Sequence, residues 1–192
     1  MELKYGLPKQ LVQWSEENLA LLKPPVANAS VFNDGNYIIN VVGGPNYRSD
    51  FHDNPYEEIF YQIHGNAHII IWDRGQFERI DLKAGDVFLL PAHVKHSPQR
   101  HEKGLCFLVE LPRPQGFIDK FSWYCADCAD LVFETSGQLT NLVEDLPIMY
   151  RKFYDLDDTA RTCTQCGSVH PGRKASEWLK SLKSSKVTNA QF

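Results

Sequence analysis

Two histidines and a glutamate stand at a spacing that can bind a divalent metal ion. Glu58 follows His52 by six residues, and His96 closes a second segment that also carries Gly85 and Pro91. A neutral imidazole offers a nitrogen lone pair near neutral pH, and two histidines with one carboxylate leave open coordination positions on Fe(II). Oxygenases need such open positions. The spacing predicts a metal site of His52, Glu58 and His96, with a non-catalytic metal-binding protein as the alternative.

Four of the five cysteines fall into two Cys-x-x-Cys pairs. The pairs are Cys125/Cys128 and Cys163/Cys166, separated by 34 residues, while Cys106 stands alone in an apolar run. Two such pairs can close a tetrahedral thiolate site, and the residue chemistry admits iron and zinc equally. A thioredoxin-type redox pair is the alternative, but the sequence around the cysteines lacks the expected βαβ context. We therefore predict a second, structural metal site.

The composition excludes several classes of partner. The formal net charge is −4, from 20 Lys and Arg against 24 Asp and Glu. With a pI of about 6.0, the chain has no positive footprint for nucleic acid. The N-terminus lacks the apolar run of a signal peptide, and no stretch is long enough for a membrane span. We expect a cytoplasmic protein with no nucleic-acid or membrane partner.

The elements that must position the candidate ligands are short strands. Six β-rich runs lie between residues 37 and 111, separated by turns rich in Gly, Pro, Asn and Asp. This spacing predicts an all-β jelly roll or barrel whose interior can hold a ligand. The run 69–72 is apolar throughout, so both faces of that strand should be covered. The runs are YIINVV, EIFYQI, AHIIIW, FERIDL, DVFLL and LCFLVEL.

Helices are expected on either side of the strands. Residues 8–22 predict an amphipathic helix that ends before Pro24 and Pro25. Residues 146–156 predict a second helix, with Asp145 as its candidate cap and a proline in its first turn.

The changes in composition divide the chain into three parts. Residues 1–114 form a barrel with its N-terminal helix, residues 115–173 form a four-cysteine metal-binding appendage packed on the barrel, and residues 174–192 form a tail. The tail is either loose or docks a short helix through Trp178 and its neighbours Leu179 and Leu182.

The histidine and glutamate spacings resemble the two motifs of the cupin superfamily. In those motifs, a His/Glu cluster on one hairpin faces a lone His from a second hairpin. Asn54 replaces the second His of the usual His-x-His, and His93 occupies a common Gly position. The loss of one His from the usual set of three histidines and one glutamate leaves two histidines and one carboxylate. Glu57 is the neighbouring alternative to Glu58, and the spacing to Gly65 favours Glu58.

Longer strings narrow the resemblance. They are Lys23-Pro-Pro-Val, Val42-Gly-Gly-Pro-Asn-Tyr-Arg-Ser-Asp-Phe-His, Phe60-Tyr-Gln, Leu89-Leu-Pro-Ala-His-Val-Lys-His-Ser-Pro-Gln-Arg100 and Trp123-Tyr-Cys-x2-Cys. With them the chain resembles the 3-hydroxyanthranilate 3,4-dioxygenases of bacteria and fungi, in register over residues 8–173. That family has a cupin jelly-roll barrel and a C-terminal rubredoxin-like site.

The resemblance implies a reaction and a set of roles. The reaction is the Fe(II)-dependent opening of the ring of 3-hydroxyanthranilate by O2, giving 2-amino-3-carboxymuconate semialdehyde on the way to quinolinate and NAD. A second iron at the four cysteines and a homodimer are also implied. The implied roles are iron binding by His52, Glu58 and His96, substrate contacts by Glu58, Arg100 and Glu110, O2 binding by Arg48, and catalysis by Arg48 and Glu110.

The residues support some of these roles independently. Arg48 precedes His52 by four residues and Arg100 follows His96 by four, so in extended chain each arginine points to the same side as its ligand. Arg100 can pair with a substrate carboxylate through two hydrogen bonds. Glu110 is the only charge in an apolar run, where an ionised group is costly without a partner. We expect a substrate proton to be its partner and Glu110 to shuttle a proton during the reaction, and an internal ion pair is the alternative for Arg48 and Glu110.

Other functions are open on the sequence. Another cupin oxygenase is one, although the two arginines favour a small carboxylated substrate. A ligand-sensing cupin without activity is another, and a zinc-ribbon interaction module would explain the cysteines. Asn28 is either a pocket residue or part of a turn. The remaining histidines, His64, His68, His101 and His170, are expected to be structural.

Overall fold

The computed structural model describes residues 7–22, 27–33, 35–140, 142–182 and 187–189. Within these residues the chain forms three helices and twelve strands. The helices are α1 (Leu11–Glu17), α2 (Leu142–Tyr154) and α3 (Ala175–Ser181). The strands are β1 (Asn28–Phe32), β2 (Ile38–Gly43), β3 (Asp50–Asp53), β4 (Glu58–His64), β5 (Ala67–Asp73), β6 (Gln76–Leu82), β7 (Val87–Leu90), β8 (His96–Arg100), β9 (Leu105–Glu110), β10 (Asp119–Tyr124), β11 (Leu131–Gly137) and β12 (Val187–Asn189).

The strands form two sheets that pack face to face. The smaller sheet has the order β1-β2-β9-β4-β7, and the larger has the order β11-β10-β3-β8-β5-β6-β12. Neighbouring strands are antiparallel except β12, which runs parallel to β6. Side chains from both sheets meet in one core, including Val42, Phe60 and Leu108 from the smaller sheet and Ile69 and Ile71 from the larger. The prediction of a mostly β fold with two packed, largely antiparallel sheets is confirmed.

The apolar run on β5 is covered on both faces, as its sequence predicts. Ile69 and Ile71 belong to the core between the sheets. Ile70 points to the opposite face and packs in a second cluster with Phe77 and Trp178. Successive side chains of a strand alternate between the two faces of a sheet. A strand that is apolar at every position therefore needs a second layer, which α3 supplies here.

The segment that was predicted as an appendage extends the larger sheet. β10 pairs with β3, and β11 pairs with β10. Helix α2 packs on this extension, and the rings of Trp123 and Phe153 stack with centroids 4.5 Å apart. The segment is therefore continuous with the barrel sheet, and the division at residue 114 stays a prediction.

The chain beyond residue 174 contains the docked helix that was one of the two alternatives. Trp178 of α3 is fully buried, and its indole N–H donates to the carbonyl of Tyr124 over 2.8 Å. Burial of a large apolar side chain contributes about 2–3 kcal/mol, so this helix is held by its tryptophan. β12 adds a short strand to β6 farther along the chain.

Both predicted helices differ in their bounds. α1 spans only Leu11–Glu17, and the prolines predicted to end it, Pro24 and Pro25, lie outside the described residues. α2 begins at Leu142 rather than residue 146 and contains Pro147 in its second turn. The proline costs one backbone hydrogen bond there. Asp145 lies inside the helix, where its carboxylate accepts hydrogen bonds from the backbone and hydroxyl of Thr140.

Six strands were not predicted: β1, β3, β8, β10, β11 and β12. Their residues are largely polar, as in the His96–Arg100 strand, yet all five residues of that strand are buried. Patterns of apolar residues cannot identify strands whose polar side chains face an interior cavity.

In the described part of the chain, no helix is long and apolar enough to cross a membrane.

His170 is a buried histidine under α3. Its ring lies against those of Phe153 and Trp178, Nδ1 accepts from the backbone N–H of Gly172, and Nε2 has no hydrogen-bond partner among the described residues. Burial, with Arg161 nearby, lowers the pKa of His170 to about 3. The pKa of a histidine in an unfolded chain is about 6.5. The unfolded chain therefore binds an extra proton between these two values.

We predict that His170 makes the fold acid-sensitive. Stability should fall as the pH drops below about 6.5, with a slope of up to about 1.4 kcal/mol per pH unit from this one group. His170→Gln should remove that part of the slope, whatever its effect at neutral pH. Chemical unfolding at several pH values between 7 and 5 measures it. His64→Gln, at an exposed histidine, is the control. Equal slopes in the parent and His170→Gln would contradict the prediction.

Candidate active site

The predicted metal ligands meet between the two sheets. His52 on β3 and His96 on β8 are directly paired in the larger sheet, and Glu58 begins β4 in the smaller sheet. His52 is 8% exposed, His96 is 2% exposed and Glu58 is 4% exposed. One potential ligand atom of each lies within 4.8 Å of the others. The set can therefore bind one metal ion, and it leaves coordination positions open.

Hydrogen bonds outside the cluster fix both imidazole rings. Nδ1 of His96 lies 2.9 Å from the carbonyl of Val94, and Nε2 of His52 lies 2.7 Å from Oδ1 of Asp119. When each of these nitrogens carries the proton, the other ring nitrogen keeps its lone pair. Such contacts set the tautomer and orientation of metal-binding histidines. The His52 ring also stacks on Phe121, with centroids 4.8 Å apart.

The charges in the cluster favour binding of a cation. Burial lowers the pKa of His52, which keeps its ring neutral. Burial also acts to lower the pKa of His96, but the nearby Glu58 carboxylate outweighs it and raises that pKa. Burial acts to raise the pKa of Glu58, yet His96 and the amide of Asn54 hold it well below its usual range. Glu58 is thus a buried anion that a metal ion can neutralise.

The structure shows the surroundings of the two residues that depart from the cupin pattern. The Asn54 amide donates to Oε1 of Glu58 over 2.8 Å and to Oε2 of Glu110 over 2.7 Å. His93 has a φ of +62°, in the left-handed region that glycine adopts readily. Its ring is exposed and pairs with Asp53. Glu57, the rival of Glu58, is exposed and lies outside the metal cluster.

A cavity of about 410 Å³ opens beside the three ligands. This volume is in the usual range for small-molecule sites, which is about 300–1,000 Å³. Its walls combine apolar side chains from both sheets with several charged groups. The lining includes Asn28, Val42, Tyr47, Arg48, Phe60, Pro98, Arg100, Leu108, Glu110, Arg113, Pro147, Tyr150, Tyr154 and Arg173.

Arg100 is a buried cation facing this cavity. It ends β8 and is 8% exposed. Burial lowers the pKa of its guanidinium to about 10, so it stays charged at neutral pH. Among the described residues it has no ion-pair partner. A buried charge without a partner is costly, and an anionic ligand would supply one.

Arg48 and Glu110 line the cavity but are already paired. The Arg48 guanidinium binds the carboxylate of Asp50, with Nε 3.1 Å from Oδ1, and lies over the ring of Tyr150. Glu110 accepts a hydrogen bond of 2.6 Å from Nη1 of Arg113. The internal ion pairs that were left as alternatives are therefore present. They do not exclude roles in the cavity, because both side chains also line it.

The sequence did not identify several residues of the site. Asp119 and Arg113 contact His52 and Glu110, and Tyr150 and Tyr154 reach the cavity from α2. Only Arg113 carried a local signal, since it follows Glu110 by three residues. The others come from strands and helices distant in sequence, and no spacing rule connects them to the ligands.

The four predicted cysteine ligands form a separate cluster. The Sγ atoms of Cys125 and Cys166 are 3.5 Å apart, as are those of Cys128 and Cys163. Metal–sulfur bonds of about 2.3 Å imply a tetrahedral edge of roughly 3.8 Å, so the group fits a metal ion. All four sulfur atoms lie within 4.8 Å of one another.

The two Cys-x-x-Cys segments have matching backbones. In each, the residue after the second cysteine donates its N–H over 2.9 Å to the carbonyl of the first: Ala129 to Cys125 and Gly167 to Cys163. Both residues have positive φ, +63° and +76°. That conformation is free for glycine but costs an alanine about 1–2 kcal/mol. The segment 125–129 therefore adopts the same backbone conformation as the segment 163–167, against the local preference of its alanine.

Comparison with known proteins places the chain among ring-cleaving dioxygenases. The family model described as 3-hydroxyanthranilic acid dioxygenase matches residues 6–154. A 3-hydroxyanthranilate 3,4-dioxygenase of Burkholderia lata is 51% identical over 89% of this chain and 98% of its own. Another, of Cupriavidus pinatubonensis, is 47% identical over 94% of this chain and 96% of its own.

Solved structures are less similar. A cupin-2 domain protein of Shewanella frigidimarina has a TM-score of 0.42 at 18% identity, covering 50% of this chain and 91% of its own. The family model and the relatives span most of the sequence, including His52, Glu58 and His96. The chain belongs to the 3-hydroxyanthranilic acid dioxygenase family.

Proposed function

We propose that this protein opens the aromatic ring of 3-hydroxyanthranilate with O2 and releases 2-amino-3-carboxymuconate semialdehyde, a precursor of quinolinate and NAD. One observation carries the proposal: a buried two-histidine, one-carboxylate cluster shares a cavity with Arg100, a buried cation without a partner among the described residues. The names of relatives at 44–51% identity support the same substrate. Free thiols in two metal-binding pairs support a reducing compartment, the cytoplasm.

We propose Fe(II) as the ion at His52, Glu58 and His96. The donor set suits it, because two imidazoles and one carboxylate with open positions are typical of non-haem iron oxygenases. Bound there, ferrous iron supplies the one-electron chemistry through which O2 can react with the ring. Glu58 also reaches the cavity, and we propose that it contacts the substrate.

Arg100 binds and orients the substrate in this proposal. Its planar guanidinium can hold a carboxylate through two parallel hydrogen bonds, which fixes the ring as well as the charge. Val42, Phe60 and Leu108 provide apolar walls for the ring. These walls also exclude water, which strengthens the pairing of charges inside the cavity.

In this proposal Glu110 transfers a proton during the reaction, and Arg48 stabilises negative charge. Burial, together with the nearby Glu58, raises the pKa of Glu110, while Arg113 and Asn54 act against that rise. A carboxylate whose pKa is raised towards neutrality can accept and return a proton within one turnover. Arg48 contributes a positive charge on the O2 side, where it can stabilise negative charge that develops on oxygen.

We propose that the four cysteines hold a structural ion, iron by family resemblance. Cys125 and Cys128 follow β10, and Cys163 and Cys166 precede α3, so α2 lies in the chain between the two pairs. An ion there would tie the end of β10, the strand that carries Phe121, to the segment that follows α2. The reaction inserts both oxygen atoms and needs no external electron, so this site has no redox step to perform.

We predict that the purified protein loaded with Fe(II) consumes O2 when 3-hydroxyanthranilate is added, and that one O2 disappears per ring opened. Loading with Zn(II) should give no turnover, because O2 activation requires a redox-active ion. Oxygen electrode and near-ultraviolet absorbance traces measure both.

A cysteine variant provides the control for that assay. Cys125→Ser should lower thermal stability while the folded fraction keeps most of its turnover per barrel iron, since the two sites are separate clusters. Turnover by protein verified to hold only zinc would refute the iron proposal. An inert iron-loaded parent would instead favour a ligand-sensing cupin without activity.

We predict that Arg100→Ala weakens substrate binding by about 3 kcal/mol or more, roughly 150-fold in Kd, because a carboxylate would be left unpaired in a closed cavity. Arg100→Lys should restore binding only in part. Anaerobic titration with substrate measures Kd, and Arg74→Ala, at an exposed arginine on the β5–β6 turn, is the control. If both Arg100 variants bind like the parent, the carboxylate binds elsewhere.

We propose that the protein is a homodimer that buries the outer face of the smaller sheet. On that face Ile59 is directly paired with Leu89, and Tyr61 with Val87, and all four side chains are exposed. Contiguous apolar patches of this kind are uncommon on monomers.

We predict that Val87→Asp converts the dimer to a monomer, because the interface would have to bury an unpaired charge. Light scattering after gel filtration measures the mass. Leu131→Asp, at an exposed residue of β11 in the larger sheet, is the control and should leave the mass unchanged. A parent that is monomeric at micromolar concentration would refute the proposal.

A further inference from the structure

Among the described residues, hydrogen-bond donors contact only one of the two carboxylate oxygens of Glu110. Asn54 Nδ2 and Arg113 Nη1 donate to Oε2 at 2.7 Å and 2.6 Å. Both hydrogen bonds that this carboxylate accepts from described residues therefore end on the same oxygen, and none ends on Oε1. A carboxylate oxygen has lone pairs for two donors, so Oε2 is fully occupied.

Arg113 joins the two sheets across the site. Its Nη1 binds Glu110 at the end of β9 in the smaller sheet, and its Nε binds Oδ1 of Asp119 at the start of β10 in the larger sheet, at 3.2 Å. The same Asp119 oxygen receives His52. The Arg113 side chain is 6% exposed. Arg113 is therefore a buried cation that binds one carboxylate in each sheet.

Asn54 donates the second hydrogen bond to Glu110. Its Oδ1 accepts from the backbone N–H of Tyr56 over 3.1 Å, which fixes the orientation of the amide. The two hydrogens of Nδ2 then point to Glu58 and Glu110. Both amide hydrogens of a residue that is 2% exposed are therefore used in setting the relative position of a metal ligand and Glu110.

We propose that Arg113 and Asn54 are positioning residues for Glu110: they bind Oε2 and leave Oε1 as the atom that exchanges a proton with the substrate. This inference rests on the proposed ring-opening function. Oε1 accepts a proton from the substrate and returns it in the same turnover, so Glu110 ends each cycle as it began. Asn54 is not among the residues that line the cavity, and Arg113 lines it but donates to Oε2 of Glu110 rather than to the reacting Oε1.

The geometry of an arginine matters here beyond its charge. The guanidinium donates from Nη1 and Nε to two different carboxylates held in fixed directions. A lysine ammonium is a compact charge that can neutralise both carboxylates but cannot fix the plane of either. Displacement of a reacting group by about 1 Å can cost about a hundredfold in rate.

The test compares Arg113→Lys and Asn54→Ala with the parent, each normalised to the metal in the barrel site. Arg161→Lys is the control, since Arg161 also binds a carboxylate and two backbone carbonyls but lies outside the cavity. We expect kcat to fall at least about tenfold in both test variants. The anaerobic Kd for 3-hydroxyanthranilate and the metal content should stay within about twofold of the parent, and the solvent deuterium isotope effect on kcat should increase.

Three results would overturn the inference. One is an unchanged kcat in metal-loaded Arg113→Lys and Asn54→Ala. A second is a loss of kcat that follows a loss of metal, which would mean that the residues act through His52 or Glu58. The third is a fall of kcat in Arg161→Lys of the same size. A parent that does not turn over 3-hydroxyanthranilate would instead refute the proposed function.

Discussion

The site depends on the burial of ionised side chains between two β-sheets. Glu58, Glu110 and Asp119 are each at most 5% exposed. An ionised carboxylate inside a protein costs several kcal/mol unless donors or cations compensate it. Each of the three has such a group in contact: His96 and Asn54 for Glu58, Asn54 and Arg113 for Glu110, and Arg113 and His52 for Asp119. The site is therefore one connected network rather than three separate contacts.

This network also explains how the sheets are held in register around a cavity. Apolar side chains fill the core beside it, but they cannot fix directions because the hydrophobic effect is non-directional. Arg113 and Asn54 connect residues of both sheets through directional hydrogen bonds. Arg100 also faces the cavity, and among the described residues it has no ion-pair partner. Its charge is therefore available to an anionic ligand.

The sequence predicted the metal clusters and the barrel, but not the network. His52, Glu58 and His96 follow motif spacings, and β5 and β9 have apolar patterns that identify strands. β3 and β8, the strands that carry the two histidines, were not predicted because most of their buried residues are polar. Asp119 is 67 residues from His52. Local spacing contains no information about a contact at that separation, which only the fold creates.

We expect His52, Glu58 and His96 to bind one metal ion and to leave open positions beside Arg100 for a carboxylated substrate. A crystal of the iron-loaded protein grown without oxygen and soaked with 3-hydroxyanthranilate tests it, with anomalous diffraction at the iron edge. We predict one iron peak on these three residues, with the substrate beside it and its carboxylate on Arg100. The absence of iron from the barrel, or an iron ion whose remaining positions are filled by other protein side chains, would contradict this prediction.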